Sequence, residues 1–271
     1  MNSIRSAAIT AEAFTEREHH RRALFSHTWQ AMIPDVFKDV PRYYRVGNAI
    51  ASVGLWELWV WQFVGMIDVP TGGRVLDVCA GTNDIGIRLL RRRPDLAVTA
   101  IDRSREMQEE GQRRARKYGV AIESLIDDVH VLPFPDASFD AVTLQAASRH
   151  LQLDRLLPEI LRVLKPGGSF YHCDMLKPKS RLVERLYLSF LHVSVSLTAA
   201  LFGSSTVSRM CRDYFKHAIA NFYTAEELSD VFKLVGFADV RCNKSLWKGM
   251  VAFHASRRPG ADAAASDRTY S

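Results

Sequence analysis

The sequence contains few cysteines, and none of them are paired in a recognisable pattern. Four occur among 271 residues, with no CxxC spacing: Cys79, Cys173, Cys211 and Cys242. Neither a zinc site nor a disulfide framework is therefore indicated. Residues 1–22 also lack the apolar stretch that a signal peptide needs. We expect a reduced protein in the cytoplasm.

Composition and charge limit the domain organisation and the partners. Hydrophobic residues make up 47% of the chain and charged residues 24%, which suffices for one domain with a substantial core. The net charge of +6 favours anionic partners, although no motif indicates nucleic acid, and we predict none. We expect three parts: a polar helical extension at 1–34, a catalytic domain at 35–255 with a helical lid at about 178–222, and a disordered tail at 256–271.

Apolar runs and helical patterns alternate through the middle of the chain. Five runs are typical of strands, at residues 75–78, 97–102, 121–127, 138–145 and 169–175. Helical spacing of apolar residues separates several of them. This alternation predicts an α/β fold with a Rossmann-like, doubly wound, mainly parallel sheet.

Small and acidic residues follow three of these strands, where a sheet of this kind binds its ligand. Asp102 is placed to accept hydrogen bonds from two ribose hydroxyls, and Asp128 from an adenine amino group. The turn before Asp84 lets the backbone approach a ligand closely and leads into a helix N-terminus. The predicted cofactor-binding residues are Asp77, Ala80, Gly81, Thr82, Asn83, Asp102, Arg103, Asp127, Asp128 and Gln145.

Each feature has a simpler interpretation when it is taken alone. The turn could be a plain strand-to-helix loop, Asp102 a helix N-cap, and Asp128 an ordinary turn residue. Their order and spacing in one series favour an adenosyl nucleoside. A dinucleotide is less favoured, because the turn lacks the GxGxxG pattern that a pyrophosphate needs.

Several segments resemble a known family. VLDVCAGTND, AIDRS, LPFPDASFDAVT and RVLKPGG are similar to class I methyltransferases of the ubiquinone and menaquinone C-methyltransferase family (UbiE-like). More specific marks are Phe37, Tyr44, Asn48, Ser52, Gly54 and Trp59, together with the closing segments FYTAEELSDVFKLVGFADV and KGMVAFH. The resemblance covers about residues 35–255 and implies S-adenosylmethionine as cofactor.

The sequence departs from that family at three places. Asn83 stands where the family has a third glycine, and we expect its side chain to crowd the methionine moiety or to offer it a new hydrogen bond. Arg45 replaces the acid of a Tyr-Asp pair, and His150 replaces the asparagine of an Arg-Asn pair. Cofactor binding is expected to be kept, whereas the acceptor chemistry is expected to differ.

These departures resemble a divergent branch of the family, the rhodoquinone-biosynthesis (RquA-like) proteins. That resemblance implies that an amino group replaces a ring methoxy group of ubiquinone, with S-adenosylmethionine as co-substrate and a divalent metal such as Mn²⁺. The alternative is C-methylation of a polyprenyl benzoquinol or of demethylmenaquinol. Two rivals are a phospholipid N-methyltransferase acting on phosphatidylethanolamine and a binding protein without catalysis.

Tyr44, Arg149 and His150 are the predicted catalytic residues. A ring carbon acceptor needs its phenol deprotonated, and Tyr44 or His150 could act as the general base or orient the ring oxygen. Arg149 could hold a quinone oxygen or pair with an acid across the site. All three could instead be structural. For a metal, the nearest hard ligands are Asp127, Asp128 and His130, although their spacing is not a recognised metal signature.

A long uncharged stretch at residues 186–208 is the predicted point of membrane contact. It is too polar to favour spanning, and cations flank it, so we expect it to dock peripherally on the inner face of the cytoplasmic membrane, where a polyprenyl quinone resides. The alternative is a buried helix of the acceptor lid. Trp56, Trp59 and Trp61 form a second candidate for this contact. The sequence leaves the oligomeric state open.

Overall fold

A seven-stranded sheet forms the centre of the protein. The structure is a computed structural model that describes residues 8–203, 214–245 and 250–260. Its strands are β1 (Arg74–Val78), β2 (Ala97–Asp102), β3 (Glu123–Ile126), β4 (Phe139–Gln145), β5 (Leu164–Met175), β6 (Ala238–Ser245) and β7 (Val251–Arg257).

The strand order is β3-β2-β1-β4-β5-β7-β6, and β7 is antiparallel to both of its neighbours. The pairs among β1 to β5 are parallel. The predicted doubly wound, mainly parallel sheet is therefore confirmed. The order reverses between β1 and β4, so a ligand crevice is expected at the carboxyl ends of these strands.

Helices cover both faces of the sheet, because β1 to β5 are parallel and need crossover connections. They are α1 (Ala11–His27), α2 (Ile33–Asp39), α3 (Tyr44–Ala51), α4 (Leu55–Met66), α5 (Asp84–Arg92), α6 (Arg105–Lys117), α7 (Leu153–Val163), α8 (Arg181–Phe202) and α9 (Ala225–Val235). A π-helical turn joins α1 to α2, and residues 214–220 are also helical. One face packs against α7 and α9, and the other against α4 and α5.

The N-terminal helix α1 is packed into the domain through a buried ion pair. Glu18 and Arg21 bond to each other and are both almost completely buried. Arg21 donates to the carbonyl oxygens of Arg149 and Leu151, at 3.0 and 3.2 Å. Glu18 accepts from the hydroxyl of Tyr223 and from a backbone N–H of α7, both at 2.8 Å. Residues 8–34 of the predicted extension thus hold the segment that follows β4; residues 1–7 lie outside the described part.

The boundaries at the other end of the chain also differ from expectation. Strand β7 continues to Arg257, so the predicted tail at 256–271 begins inside the sheet. Of that tail, residues 261–271 lie outside the described ranges. The predicted lid at 178–222 contains α8. Residues 204–213 of this lid, which include the end of the predicted membrane contact at 186–208, also lie outside the described ranges. By length and composition α8 could cross a membrane, and 28% of its most apolar stretch is buried.

Candidate functional site

The turn after β1 is tied to the end of β2. Three residues of the turn have positive φ: Cys79 at 54°, Gly81 at 53° and Asn83 at 56°. The backbone N–H of Gly81 donates to Asp102 Oδ2 at 2.8 Å, and Ser104 N–H donates to Asp102 Oδ1 at 2.9 Å. Because Ser104 also caps α6, these bonds set the position of the carboxylate at the sheet edge.

Asp77 carries an unsatisfied carboxylate oxygen beneath this turn. Its Oδ1 accepts from the Thr143 hydroxyl at 2.7 Å, whereas Oδ2 is buried and has no hydrogen-bond partner among the described residues. Burial raises the pKa of Asp77 to about 7, and the negative charges of Asp102 and Asp84 add to the effect. A bound positive charge would satisfy this oxygen.

Two of the predicted cofactor residues turn away from the crevice. Gln108 donates to Asn83 Oδ1 at 3.0 Å, and a Cβ added to Gly111 would lie 2.8 Å from the Asn83 amide. Asn83 Oδ1 is therefore held by α6, while its buried Nδ2 has no hydrogen-bond partner in the described structure. Arg114 holds the hydroxyl and the carbonyl oxygen of Thr82, both at 2.8 Å. Thr82 and Asn83 thus fix the turn to α6. The left-handed backbone at Asn83 directs its side chain toward that helix.

The other predicted cofactor residues lie along the same edge. The backbone N–H of Ala80 donates to β2 at 3.2 Å, and Gln145 is half-buried at the end of β4. Arg103 donates to the carbonyl oxygen of Trp29 at 2.9 Å, so its guanidinium is held by the N-terminal segment. Asp127 accepts from the backbone N–H of the next residue at 2.7 Å.

Among the described residues, only one carboxylate oxygen of Asp128 makes hydrogen bonds. Its side chain is 63% exposed, and Oδ1 lies 2.6 Å from His130 Nδ1. The other ring nitrogen of His130 accepts from the backbone N–H of Gln152 at 3.0 Å. Both nitrogens of His130 are thus used. In the ranges that the structure describes, no group of three His, Cys, Asp or Glu side chains could hold a metal ion. The residues present do not fit the metal that the resemblance implied.

A cavity of about 470 Å³ lies between α3, α4, α8 and the segment after β4. Most of its lining is apolar, with Phe37, Trp56, Trp59, Phe190, Val195 and Phe215 among the larger side chains. The wall of this cavity contains all three predicted catalytic residues: Tyr44, Arg149 and His150. In the sequence, Tyr44 is more than 100 positions away from the other two. The structure therefore brings the three residues together.

Arg149 forms a buried ion pair at the polar end of the cavity. Its guanidinium donates to Asp174 at the end of β5, and the Ser148 hydroxyl donates to the other oxygen of Asp174 at 2.5 Å. The expected pairing of Arg149 with an acid is thus observed. Arg149 Nε is buried without a partner in the described structure, and the guanidinium lies over the ring of Phe215 at 5.6 Å.

His150 and Tyr44 are poorly suited to act as bases. Burial lowers the pKa of His150 well below its usual value, and the positive charges of Arg149 and Arg21 lower it further. Burial raises the pKa of Tyr44. Arg45, the neighbouring departure from the family pattern, pairs with Glu57 at 2.7 Å instead of facing the acceptor.

Sequence reasoning missed several residues of this site. Asp174 and Tyr187 have no motif around them, Ser148 was passed over although it precedes the Arg149-His150 pair, and Tyr214 lies outside every recognised segment. Tyr187 is in the uncharged part of α8, where burial of a single hydroxyl leaves no signal in the sequence. Asn48 was named only as a mark of the family, although it lines the cavity beside Tyr44.

Comparisons with known proteins agree with this geometry. One curated relative is a demethylmenaquinone methyltransferase of Symbiobacterium thermophilum, which is 31% identical over 84% of this chain and 94% of its own. Another is the ubiquinone/menaquinone biosynthesis C-methyltransferase UbiE of Geobacter sulfurreducens, which is 32% identical over 76% of this chain and 81% of its own. A solved phosphoethanolamine N-methyltransferase 2 of Haemonchus contortus, in complex with S-adenosylmethionine, shares the fold at a TM-score of 0.55 and 17% identity, over 76% of this chain and 53% of that one.

The family model of the ubiE/COQ5 methyltransferases matches residues 26–258, which is most of the chain. This match includes the turn after β1, the residues that line the cavity, and β7. The chain therefore belongs to the ubiE/COQ5 methyltransferase family and is an S-adenosylmethionine-dependent transferase.

Proposed function

We propose that the enzyme modifies the ring of a polyprenyl quinone, with S-adenosylmethionine bound at the carboxyl ends of β1 and β2. The observation that carries the proposal is the mostly apolar cavity of about 470 Å³ whose wall also contains Arg149, His150 and Tyr187, which suits an oxygenated ring with an apolar tail. Tyr44 in its wall is within electrostatic range of both Asp102 and Arg149, so the cavity adjoins the cofactor edge. The names of the curated relatives support a quinone substrate.

In this proposal the cofactor is held by groups from three strands. Asp102 accepts from the ribose hydroxyls, Asp128 from the adenine amino group, and the unpartnered oxygen of Asp77 faces the positively charged methionine end. Glycine suits position 81 because its φ is 53° and a Cβ there would lie 3.2 Å from the Met107 side chain. The side chains of Thr82 and Asn83 act only by bracing the turn.

Ring C-methylation is the reaction that the relatives' names support. Methyl transfer from a sulfonium requires donor carbon, acceptor carbon and leaving sulfur in line, so most of the rate comes from positioning. The guanidinium of Arg149 would stabilise the ring oxyanion that makes the neighbouring carbon nucleophilic. Asp174, which pairs with Arg149, keeps this cation in place.

Replacement of a ring methoxy group by an amino group is a second candidate, and a specific observation favours it. No Asp or Glu is among the described residues that line the cavity, and the pKa of His150 is far below neutrality. The cavity thus offers little to deprotonate a phenol, which C-methylation needs. The cavity offers hydrogen-bond donors instead, and the carbonyl oxygens of a quinone can accept from them.

We further propose that α8 brings the cavity to a lipid bilayer with anionic headgroups. Five large apolar side chains on one face of α8 are between 51% and 67% exposed: Leu182, Leu186, Val193, Leu197 and Leu201. Leu186 also lines the cavity, so this face borders the site. Arg181 and Arg185 are exposed at the same end of α8 and would meet the headgroups.

Expression in a host that makes ubiquinone tests the proposal. Mass spectrometry of the lipid extract would reveal an amino-quinone if the second candidate is correct. Rescue of a strain that lacks its quinone C-methyltransferase, without any amino-quinone, would support C-methylation instead. Asp102→Ala serves as the matched control, because it removes the proposed ribose contact and leaves the cavity intact. Methylated phosphatidylethanolamine with unchanged quinones would contradict a quinone substrate.

A further inference from the structure

A histidine links the adenine end of the cofactor edge to the segment after β4. His130 follows Asp128 by two residues, and its side chain is 12% exposed. Its backbone N–H and its Nδ1 both contact Asp128 Oδ1, at 3.0 and 2.6 Å. On the other side of the ring, Nε2 accepts from the backbone N–H of Gln152 at 3.0 Å. The imidazole therefore lies between the proposed adenine ligand and the residue that precedes α7.

The contact with Gln152 determines which nitrogen of His130 carries the proton. A backbone N–H can only donate, so Nε2 keeps its lone pair and the ring proton lies on Nδ1. This Nδ1–H donates to Asp128 Oδ1, and a hydrogen bond to a carboxylate is stronger than one between neutral groups. Oδ1 thus accepts twice from His130, whereas Oδ2 makes no hydrogen bond among the described residues and can accept from a ligand.

Asp128 needs this support because it lies near the protein surface. Its side chain is 63% exposed, so the carboxylate would otherwise sample several rotamers. The negative charges of Asp102 and Asp128 both act on the Cys79 thiol, so Asp128 is within electrostatic range of the turn after β1. With Oδ1 held by His130, the carboxylate loses its rotational freedom before the ligand binds, which favours binding.

Gln152 belongs to a segment that is fixed to the acceptor cavity. Arg149 and His150, three and two positions before it, line the cavity wall. Arg21 donates to the carbonyl oxygens of Arg149 and Leu151, so these residues are held together. A shift of Gln152 is therefore expected to shift the residues that face the acceptor as well.

We propose that His130 is a positioning residue that holds Asp128 for the adenine amino group and couples cofactor binding to acceptor binding through Gln152. The inference rests on the proposed function, in which Asp128 accepts from that amino group. The coupling is reciprocal, because the factor by which the cofactor raises the affinity for the acceptor equals the factor by which the acceptor raises the affinity for the cofactor. His130 acts through its two neighbours and is not a catalytic residue.

The two ring nitrogens can be replaced one at a time. The amide nitrogen of an asparagine can take the place of Nδ1, and the amide oxygen of a glutamine can take the place of Nε2. His130→Asn therefore keeps a donor to Asp128 and loses the acceptor for Gln152. His130→Gln keeps an acceptor for Gln152 and loses the side-chain donor to Asp128. His20→Gln, at an exposed position of α1, is the matched control.

Calorimetry with S-adenosylhomocysteine and S-inosylhomocysteine measures whether Asp128 is positioned. The inosine compound has a carbonyl oxygen in place of the amino group, so the carboxylate meets an acceptor instead of a donor. We expect the native protein, His20→Gln and His130→Asn to favour the adenosine compound at least about tenfold, and His130→Gln to lower that ratio at least about fivefold.

The outcomes of calorimetry separate the inference from the proposed function. The same ratio in His130→Gln as in the native protein would overturn the inference and leave the adenine contact of Asp128 standing. Equal binding of the two compounds to the native protein would overturn that contact and the inference together.

Equilibrium dialysis of a short-tailed ubiquinone analogue measures the coupling. We expect S-adenosylhomocysteine to raise the affinity for the analogue at least about fivefold in the native protein and His20→Gln, and less than about twofold in both His130 variants. The native enhancement in His130→Asn would overturn the link through Gln152. An analogue that does not bind, to protein that binds S-adenosylhomocysteine, would overturn the coupling and the quinone substrate.

The tautomer of His130 provides a test that needs no ligand. Two-bond ¹H–¹⁵N spectra of the full chain, labelled with ¹⁵N-histidine, distinguish rings protonated on Nδ1, on Nε2 or on both, and His130→Asn assigns the signal. We expect the Nδ1–H form in the native protein at neutral pH. A ring protonated on Nε2 would overturn the proposal, because it could not accept from Gln152.

Discussion

Asp77 should make the stability of the cofactor-free protein fall as the pH rises. In the unfolded chain its carboxyl group loses its proton near 3.8, whereas burial raises the pKa in the fold to about 7. Above pH 3.8 the unfolded state therefore binds fewer protons than the folded state, and the free energy of unfolding decreases until the pH passes about 7. The full difference corresponds to roughly 4 kcal/mol.

Asp77→Asn removes this titration and keeps an oxygen to accept from Thr143. Between pH 5 and pH 8 the native protein should lose about 2 to 3 kcal/mol of unfolding free energy relative to the variant. Urea unfolding at several pH values, followed by circular dichroism, measures the two slopes. Asp140→Asn is the control, because the pKa of Asp140 is lowered in the fold and its titration lies below this range. Parallel slopes for the native protein and Asp77→Asn would refute the reasoning.

Three further perturbations have defined outcomes. Arg21→Met should destabilise the protein by about 3 to 5 kcal/mol in urea unfolding, because it leaves the buried Glu18 without its cationic partner. Arg22→Met breaks a partly exposed ion pair of the same helix with Asp154 and should cost under about 1 kcal/mol. Equal losses in the two variants would contradict the account. Asp102→Ala should abolish S-adenosylmethionine binding in calorimetry, and an unchanged affinity would mean that the ribose assignment is wrong. Val193→Glu should reduce co-sedimentation with anionic lipid vesicles at least about tenfold, while Leu24→Glu, at another exposed apolar position but on α1, should have no effect. Equal loss in both variants would speak against docking through α8.

Local patterns predicted the strands of the parallel half of the sheet well. β2 was predicted with its observed bounds at 97–102, and β1 and β4 within one residue, because each is an apolar run ended by polar or small residues. The order of Asp77, Asp102 and Asp128 along parallel strands then places all three at one edge. These features depend on contacts between near neighbours and on the fixed geometry of a parallel sheet.

Long-range packing determined what the sequence could not predict. Arg21 of α1 meets the carbonyl oxygen of Arg149, 128 positions away, so α1 holds the segment after β4 that lines the cavity. Asn83 turns to α6 because Gly111 leaves room for its amide, and nothing in the turn itself reveals that. The partner of His150, Tyr214, comes from a segment without a motif. Strand β5 begins at Leu164, and Pro166 and Gly167, which are typical of a turn, hid this early start.

The central claim is that S-adenosylmethionine and a quinone ring react in this protein. Its most direct test is incubation of the purified chain with S-adenosylmethionine, an amine source and a polyprenyl quinone in vesicles, in oxidised and reduced form, followed by mass spectrometry of the ring. The account predicts a ring that has gained a methyl group or exchanged methoxy for amino, with no product in the absence of S-adenosylmethionine or with Asp102→Ala. An unchanged ring in both redox states, from protein that binds S-adenosylmethionine, would contradict it.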